Sequence, residues 1–173
     1  VAITVNIQQK EKFLSMMIHA DREQDASKKF YGWIKNLIGI WSEILNLSSN
    51  DPSRIELAKE FYKNYDEAVR RIQNPPSFNE VLEEVLQVIL DTNIELVISN
   101  NTAGKQKKNN EINWANYSSH ILVGAEMLNR GYTVEGLAVS YMPRYSIGKS
   151  NADTIQQRCR FFGYKRNYLD SCR

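Results

Sequence analysis

Cysteine, net charge and long apolar runs are all scarce in this 173-residue chain, and each scarcity excludes a class of protein. The two cysteines, Cys159 and Cys172, cannot make a disulfide framework, and no Cys-x-x-Cys pair suggests zinc. A net charge of +2 provides no global basic field for nucleic acid. No apolar run approaches the ~18 residues that a membrane span needs, and there is no signal peptide. The sequence therefore predicts a reduced, cytoplasmic compartment and no membrane partner.

The phosphate-binding and metal-binding motifs of nucleotide hydrolases are also missing. No Gly-x-x-x-x-Gly-Lys-Ser/Thr loop occurs, and the steps Gly104–Lys105 and Gly148–Lys149 lack the partner glycine. Asp51, Glu56 and Lys59 resemble a nuclease pattern only superficially, because their spacing differs and they fall on a predicted helix. We therefore expect no metal site, no ATP hydrolysis and no DNA cleavage by this chain alone.

The size of the chain suits one domain with a sizeable core. Its 42% hydrophobic and 24% charged content is ordinary for a globular protein. The chain begins at Val1 and stops at Arg173, directly after a motif-rich helix. We expect the 173 residues to form a single domain that is a fragment of a larger protein.

Four short apolar runs predict β-strands. They lie at Phe13–His19, Ile94–Ser99, His120–Val123 and Leu137–Tyr141. Strands at both ends of the chain with helices between them predict an α/β fold with a mostly parallel, RecA-like sheet. Residues 13–24 and 91–173 would form this lobe.

Three helices are predicted between the first two strands, as an insert over residues 25–90. Apolar residues recur at helical spacing from Asp25 to Leu47. Asp51–Pro52 is a typical start for the second helix, and Ser77 with Glu80 forms a capping box for the third. Helix packing is the favoured role for the aromatic residues of this segment, over a base-stacking platform. These are Trp33, Trp41, Phe61, Tyr62 and Tyr65.

Two histidines and one lysine cluster carry weaker signals. His19 ends an apolar strand, where a partly buried, hydrogen-bonded histidine is favoured over a phosphate ligand. His120 has no second metal ligand at a suitable spacing. Lys105, Lys107 and Lys108 lie in a polar loop that could touch a DNA backbone, although a solvated loop is the favoured explanation.

The sharpest chemical signal is QQRCRFFGYKR, from Gln156 to Arg166. It resembles the last motif of superfamily-two helicases, in which a glutamine and arginines face the cleft between two RecA-like lobes. Arginine offers planar, bidentate donors to the negative charge that develops on a transferred phosphoryl group. The resemblance assigns catalytic roles to Gln156 and Arg160. The second arginine of the helicase motif does not fall at the usual spacing in this sequence. Arg166 or Lys165 would take its place, with Lys165 near the nucleotide.

A polar turn before the last strand carries a second resemblance. The step Arg130–Gly131, followed by Glu135–Gly136, is similar to the helicase motif that lies between nucleic acid and the nucleotide site. An ordinary turn between strands is the alternative. The resemblance implies that Gly131 and Glu135 contact the nucleotide, and that Arg130 and Thr133 contact DNA.

The pattern VGAEMLNRGYTVEGLAVSYMPRYS, followed by ADTIQQRCRFFGYKRNYLD, resembles the Z-one (Z1) domain of bacterial proteins predicted to be endonucleases. That family combines the domain with a superfamily-two helicase core, so the resemblance implies a C-terminal RecA-like lobe. The full-length protein would then use ATP and Mg²⁺ and act on double-stranded DNA, and an N-terminal RecA-like lobe would bind the ATP. A non-catalytic, helicase-like interaction scaffold is the alternative, because Cys159 and the arginine spacing depart from the motif.

Overall fold

The computed structural model describes residues 1–19, 24–97, 112–124, 134–142 and Cys172. The described elements are four strands and three α-helices, together with a π-helical turn at Ala2–Ile7 and a 3₁₀ turn at Trp114–Asn116. The strands are β1 (Leu14–His19), β2 (Thr92–Val97), β3 (Ser119–Gly124) and β4 (Leu137–Tyr141). The helices are α1 (Gln24–Leu45), α2 (Pro52–Val69) and α3 (Phe78–Leu90).

The four described strands form one parallel sheet in the order β2-β3-β1-β4. This confirms the predicted α/β fold with a parallel sheet, and the arrangement is consistent with a RecA-like lobe. Three strands lie close to their predicted positions, whereas β2 begins two residues before the predicted Ile94. The apolar runs of β1 and β3 reflect their central positions, since a strand covered on both faces has no solvent side.

The two faces of the sheet have different covers. Met17 and Leu122 are register partners on one face, and they form an apolar cluster with Val97, Val134 and Leu137. Ile112 and Trp114 pack against that cluster. Thr92, Ser119 and Ile121 point to the opposite face, where they line a cavity that the three helices and the π-helical turn also line. The helical segment therefore covers one face of the sheet.

The helix starts follow the predicted capping chemistry. The Asp51 side chain accepts a hydrogen bond from the Ser53 amide at 2.8 Å, with Pro52 in the first helical position. Both hydrogen bonds of the capping box between Ser77 and Glu80 are present. Because these bonds satisfy amides that have no partner within the helix, they fix where α2 and α3 begin.

A separate apolar cluster joins the three helices. Leu45, Leu82 and Ile89 are buried at its centre, with Trp41 and Phe61 in edge-to-face contact beside them. The prediction that aromatic residues pack between the helices is thus confirmed for Trp41 and Phe61. It is wrong for Trp33, which is 63% exposed. Helical spacing alone could not separate the two, because α1 carries apolar residues on more than one side.

Candidate functional site

The carboxyl ends of the parallel strands define the candidate site. Ligands of open α/β sheets bind outside this edge, between neighbouring strands whose following chain segments leave in opposite directions. In the strand order β2-β3-β1-β4, β2 lies to one side of β1, and β4 lies to the opposite side of β3. His19 and Gly124 end these two adjacent strands and are register partners. The ligand-binding crevice of this fold is therefore expected just beyond the carboxyl ends of β1 and β3, next to His19 and Gly124.

His19 is the described polar side chain nearest to that position. It is 6% exposed and lies on the same face of the sheet as Met17, its neighbour two residues earlier in β1. The prediction of a histidine buried at the end of this strand is confirmed, and its burial is more complete than the partly buried position that was predicted. Neither His19 nor the other described strand ends, Val97, Gly124 and Tyr141, supply a lysine or arginine to this edge. The charge that a phosphate needs would have to come from the segments that follow the strands.

Most of the predicted site residues belong to those segments. Residues 125–133 follow β3, and residues 143–171 follow β4. They contain the predicted catalytic, nucleotide-binding and DNA-binding residues apart from Glu135, and all of these lie outside the described residues. The set comprises Arg130, Gly131, Thr133, Gln156, Arg160, Lys165 and Arg166. The loop lysines Lys105, Lys107 and Lys108 also lie outside the described residues.

Glu135 is the predicted nucleotide contact that the structure describes. Its side chain is exposed, and its carbonyl accepts a hydrogen bond from the Ser15 hydroxyl at 2.7 Å. The Ser15 amide donates to the Gly136 carbonyl, also at 2.7 Å. Glu135 therefore precedes β4 beside the start of β1. At about 3.3 Å per residue, it lies roughly 13 Å along the strand from His19.

Gly136 is held in a conformation that favours glycine. Its φ is +61°, and a Cβ atom there would lie 2.9 Å from Cε2 of Phe13 and 3.1 Å from the Phe13 carbonyl oxygen. The glycine thus permits positive φ and a close approach of two chain segments. The end of the predicted Arg-Gly turn is consequently fixed to β1 by two hydrogen bonds and a tight contact.

An aromatic cluster around His120 lies near the same end of the sheet, and the sequence did not suggest it. His120 is 1% exposed, and its ring meets Phe13, Trp114 and Tyr117 with centroid separations of 5.6, 5.0 and 6.0 Å. Its Nε2 atom lies 3.0 Å from the Trp114 carbonyl oxygen. The only sequence signal was the aromatic density of Trp114–His120. The cluster is best explained as packing that positions Phe13 against Gly136.

A cavity of about 450 Å³ lies between the sheet and the helices, away from the carboxyl edge. Its lining is mainly apolar and includes Trp41, Phe61 and Ile121, with Lys10 and Thr4 among the polar residues.

No group of three or more histidine, cysteine, aspartate or glutamate side chains could hold a metal ion within the part of the chain that the structure describes. No described helix is both long enough and apolar enough to cross a membrane.

The geometry defines a class of protein, an α/β domain with a parallel sheet and a helical segment between its first two strands. The Z1 domain family model matches residues 1–173, so the chain belongs to the Z1 domain family. Comparison with curated proteins and with solved structures gives no match.

Proposed function

We propose that the chain is the C-terminal RecA-like lobe of an ATP-dependent, DNA-acting, helicase-like protein of the endonuclease type. The observation that carries the proposal is the edge at which β3 and β4 end. In sequence, the segment that contains Arg130 follows β3 and the segment that contains Arg160 follows β4, so the chain leaves the carboxyl edge before each segment begins. Membership of the Z1 domain family supports the same assignment.

In this proposal the ATP and its Mg²⁺ are bound by an N-terminal RecA-like lobe. The chain contributes arginine to the γ-phosphate, chiefly through Arg160, while Gln156 orients the nucleotide. Arg166, or Lys165 in its place, supplies a second cation. The absence of lysine and arginine from the described strand ends fits this division, since the cations then belong to the following segments.

The turn before β4 is proposed to couple nucleotide and DNA. Arg130 and Thr133 would contact the backbone of double-stranded DNA, and Gly131 would face the nucleotide. Glu135 lies beside the start of β1, at the opposite end of the strands from His19, and is left out of this contact. The hydrogen bonds from Ser15 to Glu135 and Gly136 anchor this turn to the central strand β1. The turn would therefore move together with the sheet. Closure of the two lobes around ATP would in this way be transmitted to the DNA contacts.

The test is the Arg160→Ala substitution in the full-length protein. Loss of an arginine that stabilises the transition state should lower the ATPase turnover by roughly 10³–10⁵-fold while nucleotide affinity changes little. Steady-state hydrolysis and equilibrium binding of a fluorescent ATP analogue measure the two quantities.

Arg158→Ala is the matched control for that experiment. On a helix, position 158 is rotated by about 200° from position 160, so the same loss of charge falls on the opposite side. We expect near-normal turnover for Arg158→Ala. Normal turnover in Arg160→Ala, or equal losses in both variants, would remove Arg160 from the proposed role.

A non-catalytic, helicase-like interaction scaffold is the second candidate, and the 63% exposure of Trp33 favours it. A large exposed aromatic residue is typical of a protein contact surface. A Walker-type loop in the sequence preceding Val1 in the parent protein would support the ATPase. Its absence there would support the scaffold.

A further inference from the structure

The outward side of α1 carries apolar residues that the helical core does not use. Trp33, Leu37 and Ile40 are 63%, 43% and 42% exposed. The inward side of the same helix contributes Trp41 and Leu45 to the core instead. Burying exposed apolar area of this kind is favourable at about 25 cal/mol per Å², so the outward side suits a partner.

The exposed Trp33, Leu37 and Ile40, together with half-buried residues at either end, follow the spacing of a coiled-coil seam. Phe30, Trp33, Leu37, Ile40 and Ile44 are separated alternately by three and four residues, and these five residues are called the outer stripe of α1. The average period of 3.5 residues keeps a stripe facing a second helix along its length. Since α1 has 22 residues, the helix is about 33 Å long. The outer stripe is therefore shaped to pack against another helix.

The charges beside the outer stripe specify how that second helix runs. Lys29 and Glu43 are both exposed and lie 14 residues apart, so two heptads place them on the same flank. Within the part of the chain that the structure describes, neither forms an ion pair. In a parallel copy of α1 the flank with Lys29 would face the flank with Ile34, which carries no charge, whereas an antiparallel copy would set Lys29 beside Glu43 at both ends.

We propose that two copies of this chain associate through the outer stripes of their α1 helices, packed antiparallel about a two-fold axis near Asn36. A two-fold interface needs one surface that complements itself. The outer stripe supplies the apolar part of that surface, with Trp33 as the most exposed anchor. Lys29 and Glu43 supply charges of opposite sign at equal distances from the axis. This self-complementarity favours a second copy over an unrelated partner.

The first experiment measures the mass of the chain by sedimentation equilibrium. The native chain should sediment at twice its 20.0 kDa mass, with a mass that falls on dilution. Leu37→Asp places a carboxylate in the seam and should give a monomer at the same concentration. Leu90→Asp is the matched control, because Leu90 is 58% exposed at the end of α3 and away from the outer stripe. It should remain dimeric.

A charge-reversal series then tests the antiparallel pairing. Lys29→Glu alone, and Glu43→Lys alone, should each raise the dimer dissociation constant by roughly tenfold, because both symmetric contacts become repulsive. The double variant should regain the native dissociation constant. Exposed positions are expected to tolerate these changes, and circular dichroism verifies that each variant folds.

Each result decides the proposal. A native chain that stays at 20.0 kDa over the accessible concentrations overturns it, as does a Leu37→Asp variant that remains dimeric. A double variant no better than the single variants overturns the antiparallel pairing. Dimers of the native chain and of Leu90→Asp, together with recovery in the double variant, support it.

Discussion

The sheet and the helical segment bury their residues to very different extents. In β1, five of the six residues are buried, and β3 shows the same pattern. In α1, only Ser27 and Leu45 are buried among 22 residues, and α2 buries Val69 alone. The central strands are covered on both faces, whereas each helix is covered along one stripe. The comparison indicates that the sheet carries most of the core and that the helices retain apolar surface for other contacts.

The largest difference between the two regions should appear when a leucine is truncated in each. Leu122 is completely buried in β3, so Leu122→Ala leaves a cavity and should lower the free energy of unfolding by about 2–5 kcal/mol. Leu90 is 58% exposed at the end of α3, so Leu90→Ala should change that free energy by about 0.5 kcal/mol or less. Urea denaturation of the two variants measures both values. Equal losses would show that the helices depend on their exposed residues as much as the sheet does on its core.

The success of sequence-based prediction also differs between the regions. The strands were predicted because apolar runs such as FLSMMIH are short and bounded, and β4 matches its predicted limits of Leu137–Tyr141. The starts of α2 and α3 were predicted because Asp51 and Ser77 cap their helices by local chemistry. Such features depend on a few neighbouring residues, which the sequence displays directly.

Burial on the helices and the assembly of the site could not be predicted in the same way. Trp33 and Trp41 have the same side chain on the same helix, yet only Trp41 packs in the helical core. Which side of α1 faces inward depends on α2 and α3, through contacts distant in sequence. The hydrogen bond from Ser15 to Glu135 likewise spans 120 positions. Local patterns contain no signal for pairings of this kind.

A second comparison uses one glycine from each region. Gly136→Ala in the turn before β4 would force an alanine to φ +61° and place its Cβ 2.9 Å from Phe13. We expect a loss of about 1–3 kcal/mol in the free energy of unfolding. Gly39 in α1 has no atom within 4 Å of a built Cβ, so Gly39→Ala should increase the free energy of unfolding by about 0.5–1 kcal/mol. Thermal unfolding of both variants gives the sign of each change in the free energy of unfolding. A change of the same sign in both variants would contradict the expected difference between the two glycines.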